Sequence, residues 1–270
     1  MENKRGHAKI GEFKPMDLLA CAAAREVRDG EVVFAGTGLP MLAIMLAQKK
    51  HAPSAVCIYE SGSIAGRPID LPTSVADARC SYQAAIADGL MDAFGQLQSG
   101  RVDLAYLSGA EVDMYGNVNT TFVGGHSGKR LTGSGGNADI HSLAKRSVLI
   151  MLQLNQKRRF VEKVSYITSP GWRFPYGPKL VWTHKKDVYG PAFLGGRHVV
   201  IYNMGVYRFD EDGVMYLDTV HPGFTPEDCR ANCCFDLNIS RVKGETPTPT
   251  YEELKLLHNV IDPDGIILKQ

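Results

Sequence analysis

Two short apolar runs, separated by one helical stretch, place the strongest constraint on the fold of this chain. EVVFA at 31–35 and AVCIY at 55–59 have the length of strands. The second is almost continuously apolar, which is typical of a strand covered on both faces. MLAIMLAQKK at 41–50 lies between them and has a helical pattern. A strand, a helix and a strand in this order form a βαβ unit, so the sequence predicts a parallel sheet.

Further segments continue the alternation of helices and strands. The predicted helices cover 15–29, where Pro15 stands early and Gly30 follows the end, then 81–99 and a stretch from near Gly136 to SLAKR. The predicted strands are VDLAYLSG, SVLIML and a run of antiparallel strands over 198–217 with DEDG as a hairpin turn. We therefore expect a three-layer α/β/α fold with a mostly parallel open sheet and antiparallel additions near the C-terminal half.

The domain organisation is predicted to be simple. Residues 1–270 are expected to form a single domain with a flexible N-terminus at 1–14. Residues 168–197 contain four prolines and are expected to be rich in loops, and 244–250 form a short linker. Thr225 with Asp228, and Thr250 with Glu253 in capping-box spacing, each predict the start of a helix near the C-terminus.

Composition excludes several classes of function. The formal net charge is +1 and no Lys/Arg-rich tract stands out, so we expect no nucleic-acid partner. The polar N-terminus and the absence of a long apolar run predict neither a signal peptide nor a membrane span. Six scattered cysteines do not form a disulfide framework and predict reduced thiols in a cytoplasmic protein. CRANCC has no second ligand cluster, so half-buried helix cysteines are favoured over a metal site.

The stretch YESGSIAGRP at 59–68 places a carboxylate, Glu60, directly after an apolar strand. A glutamate at a strand end is commonly solvated or caps the next helix. However, ligands of open α/β sheets bind outside the carboxyl ends of the strands, and the glycines that follow Glu60, Gly62 and Gly66, admit a bulky group. A carboxylate held in a dry crevice is a usable nucleophile, and backbone N–H groups of a separate glycine loop can stabilise the oxyanion that forms.

The loop GTGLP at 36–40 permits a different interpretation, a nucleotide-binding regulatory protein. It begins like the dinucleotide motif G-x-G-x-x-G, and Glu60 stands where the acidic residue of that motif is expected. Met41 replaces the third glycine and Pro40 precedes it, so the match is partial. P-loop, H-E-x-x-H and G-x-S-x-G motifs do not occur in the sequence.

Several segments, taken in order, resemble the β subunits of the family I CoA-transferases. They are GTGLP (36–40), ESG (60–62), DMYGNVNTTF (113–122), RLTGSGG (130–136), KRRFVEKVSYITSPGW (157–172) and TPEDCRANCCFDLNIS (225–240). The resemblance covers most of the chain. It implies the fold of that family, transfer of CoA between carboxylic acids, and a separate α subunit of similar fold as partner.

The resemblance also implies roles for individual residues. The family nucleophile, the glutamate of the E-[SN]-G motif, falls on Glu60, and the oxyanion-hole glycine of the G-x-G-G loop falls on Gly136. Glu60 is then expected to attack an acyl-CoA and to carry CoA as a glutamyl thioester, with ping-pong kinetics. CoA is a substrate, and no bound cofactor, metal or ATP is expected. The remaining expected contacts to substrate or CoA are Gly36, Thr37, Gly38, Ser61, Gly62, Asn117, Asn119, Ser134 and Gly135.

Other interpretations remain open at the level of sequence. A turn held by Asn side chains is as good an explanation of Asn117 and Asn119 as substrate contact. Three arginines can pair with a dicarboxylate such as glutaconate, although surface arginine is the default, namely Arg67, Arg130 and Arg173. YESGSIAGRPIDLP differs from the family pattern after the glutamate. This difference leaves the acyl group open. The alternative function is a CoA-thioester hydrolase, in which water intercepts the same acyl-enzyme, or a carbon–carbon lyase on the same fold.

Overall fold

The computed structural model of the chain describes residues 6–125, 127–152, 159–190 and 197–269. They form two compact units, one up to Tyr106 and from Pro247 onward, the other Leu107–Thr246. The α-helices of the described residues are α1 Pro15–Ala24, α2 Leu39–Lys50, α3 Leu90–Gln98, α4 Asn137–Leu143, α5 Lys185–Tyr189, α6 Pro226–Ala231 and α7 Tyr251–Leu256. The strands are β1 Val32–Ala35, β2 Val56–Tyr59, β3 Ser63–Ile64, β4 Ile86–Ala87, β5 Leu104–Leu107, β6 Glu111–Val112, β7 Val118–Asn119, β8 Phe122–Val123, β9 Lys129–Arg130, β10 Arg146–Ile150, β11 Arg173–Tyr176, β12 Val181–His184, β13 Arg197–Tyr202, β14 Gly205–Phe209 and β15 Met215–Val220.

In the first unit the strands are ordered β5-β1-β2-β3-β4. β1 is parallel to both β5 and β2, and β3 and β4 continue the sheet as antiparallel strands. α2 follows β1 and is buried from Leu39 to Ala47, which explains its apolar run. It packs against α1, and the π-helical turn Leu257–Ile261 extends α7. The predicted βαβ unit of β1, α2 and β2 is therefore confirmed.

In the second unit the order is β15-β14-β13-β10. β10 is parallel to β13, and β13, β14 and β15 form an antiparallel meander. The DEDG segment at 210–213 makes the turn between β14 and β15, as expected. Three two-stranded ladders complete the unit: β6–β7, β8–β9 and β11–β12. The α/β class, with parallel pairing and antiparallel additions, is confirmed.

The structure corrects some of the predicted boundaries. The helix expected over 81–99 begins only at Leu90, because Ile86–Ala87 pair with Ser63–Ile64 as a strand. Tertiary pairing here overrides helix propensity. The first helix ends at Ala24, well before Gly30. The segment expected to be loop-rich contains β11, β12 and α5, and its residues 191–196 lie outside the described residues.

Both capping predictions are confirmed. The Thr225 hydroxyl accepts a hydrogen bond from Asp228 N–H at 3.1 Å, and the Thr250 hydroxyl accepts one from Glu253 N–H at 3.2 Å. Near the N-terminus, Ala8 is buried and its N–H donates to the Pro249 carbonyl at 2.8 Å. The chain is thus attached at Ala8, while residues 1–5 of the segment expected to be flexible lie outside the described residues. Within the described ranges, none of the helices has the length and apolar character needed to span a bilayer.

Candidate active site

Glu60 stands at the carboxyl end of β2, where the parallel register with β1 brings two loops together. Ala35 lies opposite Tyr59, so the loop beginning at Gly36 and the loop beginning at Glu60 leave the sheet at the same edge. Glu60 is half-buried, and its carboxylate forms no hydrogen bond or ion pair with any other described residue. A carboxylate at this edge that is not used by the fold is available to react.

Gly62 gives the Glu60 loop its shape. Its N–H donates to the Tyr59 carbonyl at 2.9 Å, which closes a tight turn around Glu60. Its φ is +109°, and a Cβ at this position would lie 2.3 Å from the Asp88 carbonyl oxygen. Asp88 N–H in turn donates to the Gly62 carbonyl at 3.2 Å. Only glycine fits both the backbone angle and the close approach of the 88–89 backbone.

The predicted contacts Thr37 and Ser61 meet through one intervening residue. Ser61 donates its hydroxyl to the Val75 carbonyl at 2.7 Å, and Val75 N–H donates to the Thr37 hydroxyl at 3.2 Å. The structure therefore brings Thr37 and Ser61 to the same place as Glu60. Both hydroxyls hold the 74–76 segment beside the loop, and Ser61 is exposed. Gly38, with φ +85°, caps the start of α2 at this edge.

Asp77 fixes the segment that contains Val75, and the sequence reasoning missed it. Its carboxylate accepts hydrogen bonds from the Thr73 N–H at 3.1 Å and from the Arg79 guanidinium at 2.7 Å. These bonds, with the Arg79 side chain as the largest contribution, hold the pKa of the Asp77 carboxyl below its usual range. The only signal in the sequence is the D-A-R triplet, since Asp77 caps the short 3₁₀ helix Ala78–Ser81.

The glycine loop 133–136 lies in the second unit and leads into α4. Gly133 and Gly135 have positive φ, at +96° and +49°, and Gly136 is buried at the N-cap of α4. The Asn137 N–H closes a turn onto the Ser134 carbonyl at 3.0 Å. Within the described part of the chain, the N–H groups of Ser134, Gly135 and Gly136 donate to no other group. Consecutive open N–H groups are suited to an anionic oxygen.

Asn117 and Asn119 are both fully buried. The Asn117 amide donates to Asp113 Oδ2 at 2.9 Å and to the Arg173 carbonyl at 2.8 Å. Its oxygen accepts the Gly171 N–H at 2.8 Å. The Asn119 amide donates to Glu111 Oε2 at 2.7 Å and its oxygen accepts the Thr121 N–H at 2.9 Å. The structure thus favours the turn-holding role over substrate contact for both side chains.

The three arginines considered for a dicarboxylate already have partners within their own units. Arg67 donates to the Pro53 carbonyl at 2.8 Å, and Arg173 donates to the Asp212 carbonyl at 2.8 Å. Arg130 stacks over the Phe122 ring with 4.8 Å between the guanidinium carbon and the ring centroid. None of these contacts points to a carboxylate-binding role.

A buried polar cluster supports α4 from its other end. His141 on α4 donates or accepts at Ser147 Oγ (2.9 Å) and contacts the Gly116 carbonyl at 3.1 Å, while Ser147 also bonds His198 at 2.5 Å. Lys185 Nζ donates to the His141 carbonyl at 2.9 Å. Burial lowers the pKa of His141 to about 3 and that of Lys185 to about 7.

No group of three or more His, Cys, Asp or Glu side chains is placed to hold a metal ion among the described residues. In the CRANCC segment Cys229 and Cys233 are buried and Cys234 is exposed. Burial raises the pKa of the Cys229 thiol to about 11, so it stays protonated near neutral pH.

The amino-acid sequence is similar to those of known CoA-transferases. Residues 17–232 match the family described as Coenzyme A transferase. The chain is 34% identical over 266 residues to the β subunit of glutaconate CoA-transferase of Acidaminococcus fermentans, with 95% of each chain covered. It is 34% identical over 252 residues to the β subunit of 3-oxoadipate CoA-transferase of Pseudomonas knackmussii, covering 92% of this chain and 93% of the relative.

A solved structure gives the same result for the fold. The crystal structure of glutaconate coenzyme A-transferase from Acidaminococcus fermentans superposes with a TM-score of 0.83 at 30% sequence identity. The match covers 95% of this chain and 98% of that chain.

Proposed function

Because the chain belongs to the Coenzyme A transferase family, we propose that Glu60 is the nucleophile that carries CoA between two carboxylic acids. The observation that carries this proposal is the position of Glu60. It is half-buried at the carboxyl end of β2, held by the Gly62 turn, and its carboxylate is not used by the fold. The two relatives that cover 95% and 92% of the chain are named CoA-transferases.

The proposed reaction conserves the thioester bond. The Glu60 carboxylate attacks the thioester carbonyl of an acyl-CoA, and the carbon–sulfur bond breaks to give a mixed anhydride and CoA thiolate. The thiolate then attacks the glutamyl carbonyl, which releases the first carboxylate and leaves CoA on Glu60 as a thioester. A second carboxylate repeats these steps in reverse, leaves as its CoA ester and regenerates Glu60. No water, metal, ATP or redox partner enters the balance, and the kinetics are ping-pong.

The glycine loop 133–136 has the features of an oxyanion-binding loop. Each attack converts a carbonyl oxygen into an alkoxide, which backbone N–H groups stabilise when they already point at its position. The open N–H groups of Ser134, Gly135 and Gly136 support this role, and Gly136 is buried at the start of α4. We assign the oxyanion contact to Gly136.

We propose a short dicarboxylic acid as the acyl group. Two relatives with high coverage are named for glutaconate and 3-oxoadipate, both of which are dicarboxylates. Each of these relatives is also named as one subunit of its enzyme, which supports a second chain, the α subunit, as partner. A partner would cover the half-exposed Glu60 and keep water from its thioester.

The test uses the purified chain together with its α subunit and glutaryl-CoA as donor, without an acceptor. Peptide masses after digestion are expected to show a CoA adduct on the Glu60 peptide. Glu60→Gln is expected to abolish the adduct, and Glu211→Gln, an exposed glutamate in the β14–β15 turn, to leave it unchanged. Addition of adipate should then release adipyl-CoA. An adduct on another residue would refute the assignment.

The same assay separates the alternatives. Release of free CoA without an acceptor, at the rate of turnover, would identify a thioester hydrolase in which water intercepts the acyl-enzyme. Loss of a carbon–carbon bond in the acyl product would identify a lyase. Binding of NAD with no CoA adduct would favour a nucleotide-binding protein. Full transferase activity of this chain without the α subunit would refute the two-subunit site.

A further inference from the structure

A buried threonine in the second unit controls the backbone from which the glycine loop starts. Thr168 is 8% exposed, and its hydroxyl oxygen accepts the Thr120 N–H at 2.9 Å. The same hydroxyl lies 2.8 Å from the Thr121 hydroxyl. Thr168 is itself fixed, because its N–H donates to the Val118 carbonyl at 2.9 Å. One side chain therefore holds two consecutive residues that directly follow β7.

Thr120 and Thr121 pass this constraint to the glycine loop through their carbonyls. Thr121 O accepts the Leu131 N–H at 2.9 Å, and Thr120 O accepts the Gly133 N–H at 2.9 Å. These two bonds continue the β8–β9 ladder up to the first glycine of the loop. A shift of the 120–121 backbone would move the point where the loop begins.

The hydrogen bonds of this segment leave little freedom for such a shift. Asn119 Oδ1 accepts the N–H groups of Thr121 at 2.9 Å and Phe122 at 3.3 Å, while Thr168 takes that of Thr120. Three successive N–H groups are thus satisfied by two side chains. Because Thr120 is buried, leaving its N–H without a hydrogen-bond acceptor would destabilise the fold, and the Thr168 hydroxyl supplies that acceptor.

We propose that Thr168 is a positioning residue for the oxyanion-binding loop 133–136, acting through the Thr120 and Thr121 backbone. The proposal rests on the function assigned above to that loop. Thr168 does not touch the reacting atoms. It sets where the open N–H groups of the loop stand, and misplacement of a catalytic donor by about 1 Å can lower a rate by about 10²-fold.

The structure offers a matched control. Thr246 is also buried, at 4% exposure, and its hydroxyl makes two bonds, to Thr219 Oγ1 at 2.7 Å and His221 Nδ1 at 2.9 Å. None of these three residues bonds to the described residues of the 120–136 segment. Thr246→Val therefore removes an equivalent buried hydroxyl of the same unit without touching the path to the loop.

The experiment measures the single-turnover rate of CoA loading on Glu60 from glutaryl-CoA, with the α subunit present. Thr168→Val is expected to lower this rate about 10- to 100-fold with a change in KM below about threefold, since the loop acts on the transition state. Thr168→Ser, which keeps the hydroxyl, should restore most of the rate. Thr246→Val should lower the melting temperature but leave the loading rate unchanged.

The outcomes are distinguishable. If wild type does not load CoA on Glu60, the proposed function fails and this inference with it. If wild type loads and Thr168→Val loads within about twofold of it, or if Thr246→Val slows loading equally, the positioning role of Thr168 is overturned while the proposed function stands. A Thr168→Val variant that fails to fold is replaced by Thr168→Ser and Thr168→Cys, whose loading rates must then follow hydrogen-bond strength.

Discussion

Gly62→Ala is expected to disable the Glu60 loop through backbone geometry alone. The added Cβ would stand 2.3 Å from the Asp88 oxygen and 2.7 Å from the Gly89 carbonyl carbon. These are main-chain atoms, so no rotamer change relieves the contact. The 88–89 backbone would have to retreat by about 1 Å to restore ordinary van der Waals separation. It cannot do so freely, because Ser63↔Ala87 and Ile64↔Ile86 pair across β3 and β4.

Two costs add at this position. A non-glycine residue with positive φ costs roughly 1–2 kcal/mol, and overpacking against a fixed neighbour costs typically about 1–3 kcal/mol. We therefore expect Gly62→Ala to lower the free energy of unfolding by about 2–5 kcal/mol. Glu60 lies two residues before Gly62 in the same turn, so CoA loading should fall as well.

Gly95 in α3 is the matched control. Among the described residues, and apart from its chain neighbours and the backbone of its own helix, no heavy atom lies within 4 Å of the position that its Cβ would take, and its φ is not positive. Gly95→Ala should raise stability by about 0.5–1 kcal/mol, as in an ordinary helix interior. Equilibrium unfolding in urea measures both changes, and the Glu60 adduct measures the site. If Gly62→Ala is as stable as wild type and is loaded with CoA as readily, the Gly62 turn is not required to position Glu60.

Two further predictions concern pH and one ion pair. Burial holds the pKa of His141 at about 3 and that of His221 at about 4, so stability present above pH 6.5 is lost as pH falls toward these values. Each histidine lowers the free energy of unfolding by about 1.4 kcal/mol for each pH unit of acidification in this range. Burial raises the pKa of the Asp113 carboxyl to about 6, so between pH 6 and 4 Asp113 adds stability as pH falls and offsets the contribution of one histidine. Urea midpoints between pH 7.5 and 4 measure the slope, and His221→Asn should reduce it; an unchanged slope would contradict the assignment. Glu253→Gln should lower the free energy of unfolding by about 1–3 kcal/mol, because it removes the charge of a nearly buried carboxylate that pairs with Arg25 at 2.9 Å. An unaltered urea midpoint would show that this ion pair does not contribute to stability.

The sequence predicts those parts of the fold that depend on nearby residues. Thr225 and Thr250 cap helices because a hydroxyl needs only the N–H three residues ahead, and that spacing is visible in the chain. The βαβ unit is likewise visible from the apolar runs of β1 and β2. In contrast, the pattern of 81–99 predicts a helix throughout, and Ala85 N–H donates instead to the Ile64 carbonyl at 3.0 Å. No local pattern reveals that pairing.

The same division holds for the candidate site. Motifs identify Glu60 and the 133–136 loop, whereas no motif identifies Thr168, since it acts on Thr120 from 48 positions away in the chain. Its segment, TSPG at 168–171, belongs to one of the stretches that carry the family resemblance, but nothing in the stretch distinguishes Thr168 from its neighbours. Hydrogen bonds between distant residues require the folded backbone to be known.

The polar groups of the candidate site residues differ in whether hydrogen bonds within the fold already occupy them. The amide groups of Asn117 and Asn119 are engaged by buried partners, so using one for a substrate would leave another buried polar group unpaired, at a cost of about 1–3 kcal/mol. Glu60 and the Gly136 N–H carry no such commitment to other described residues. A ligand can therefore bond to either group without breaking hydrogen bonds that the fold of its unit uses. Under the proposed function, the reacting groups are a few open ones, and the saturated side chains of each unit act by holding the open groups of that unit in place.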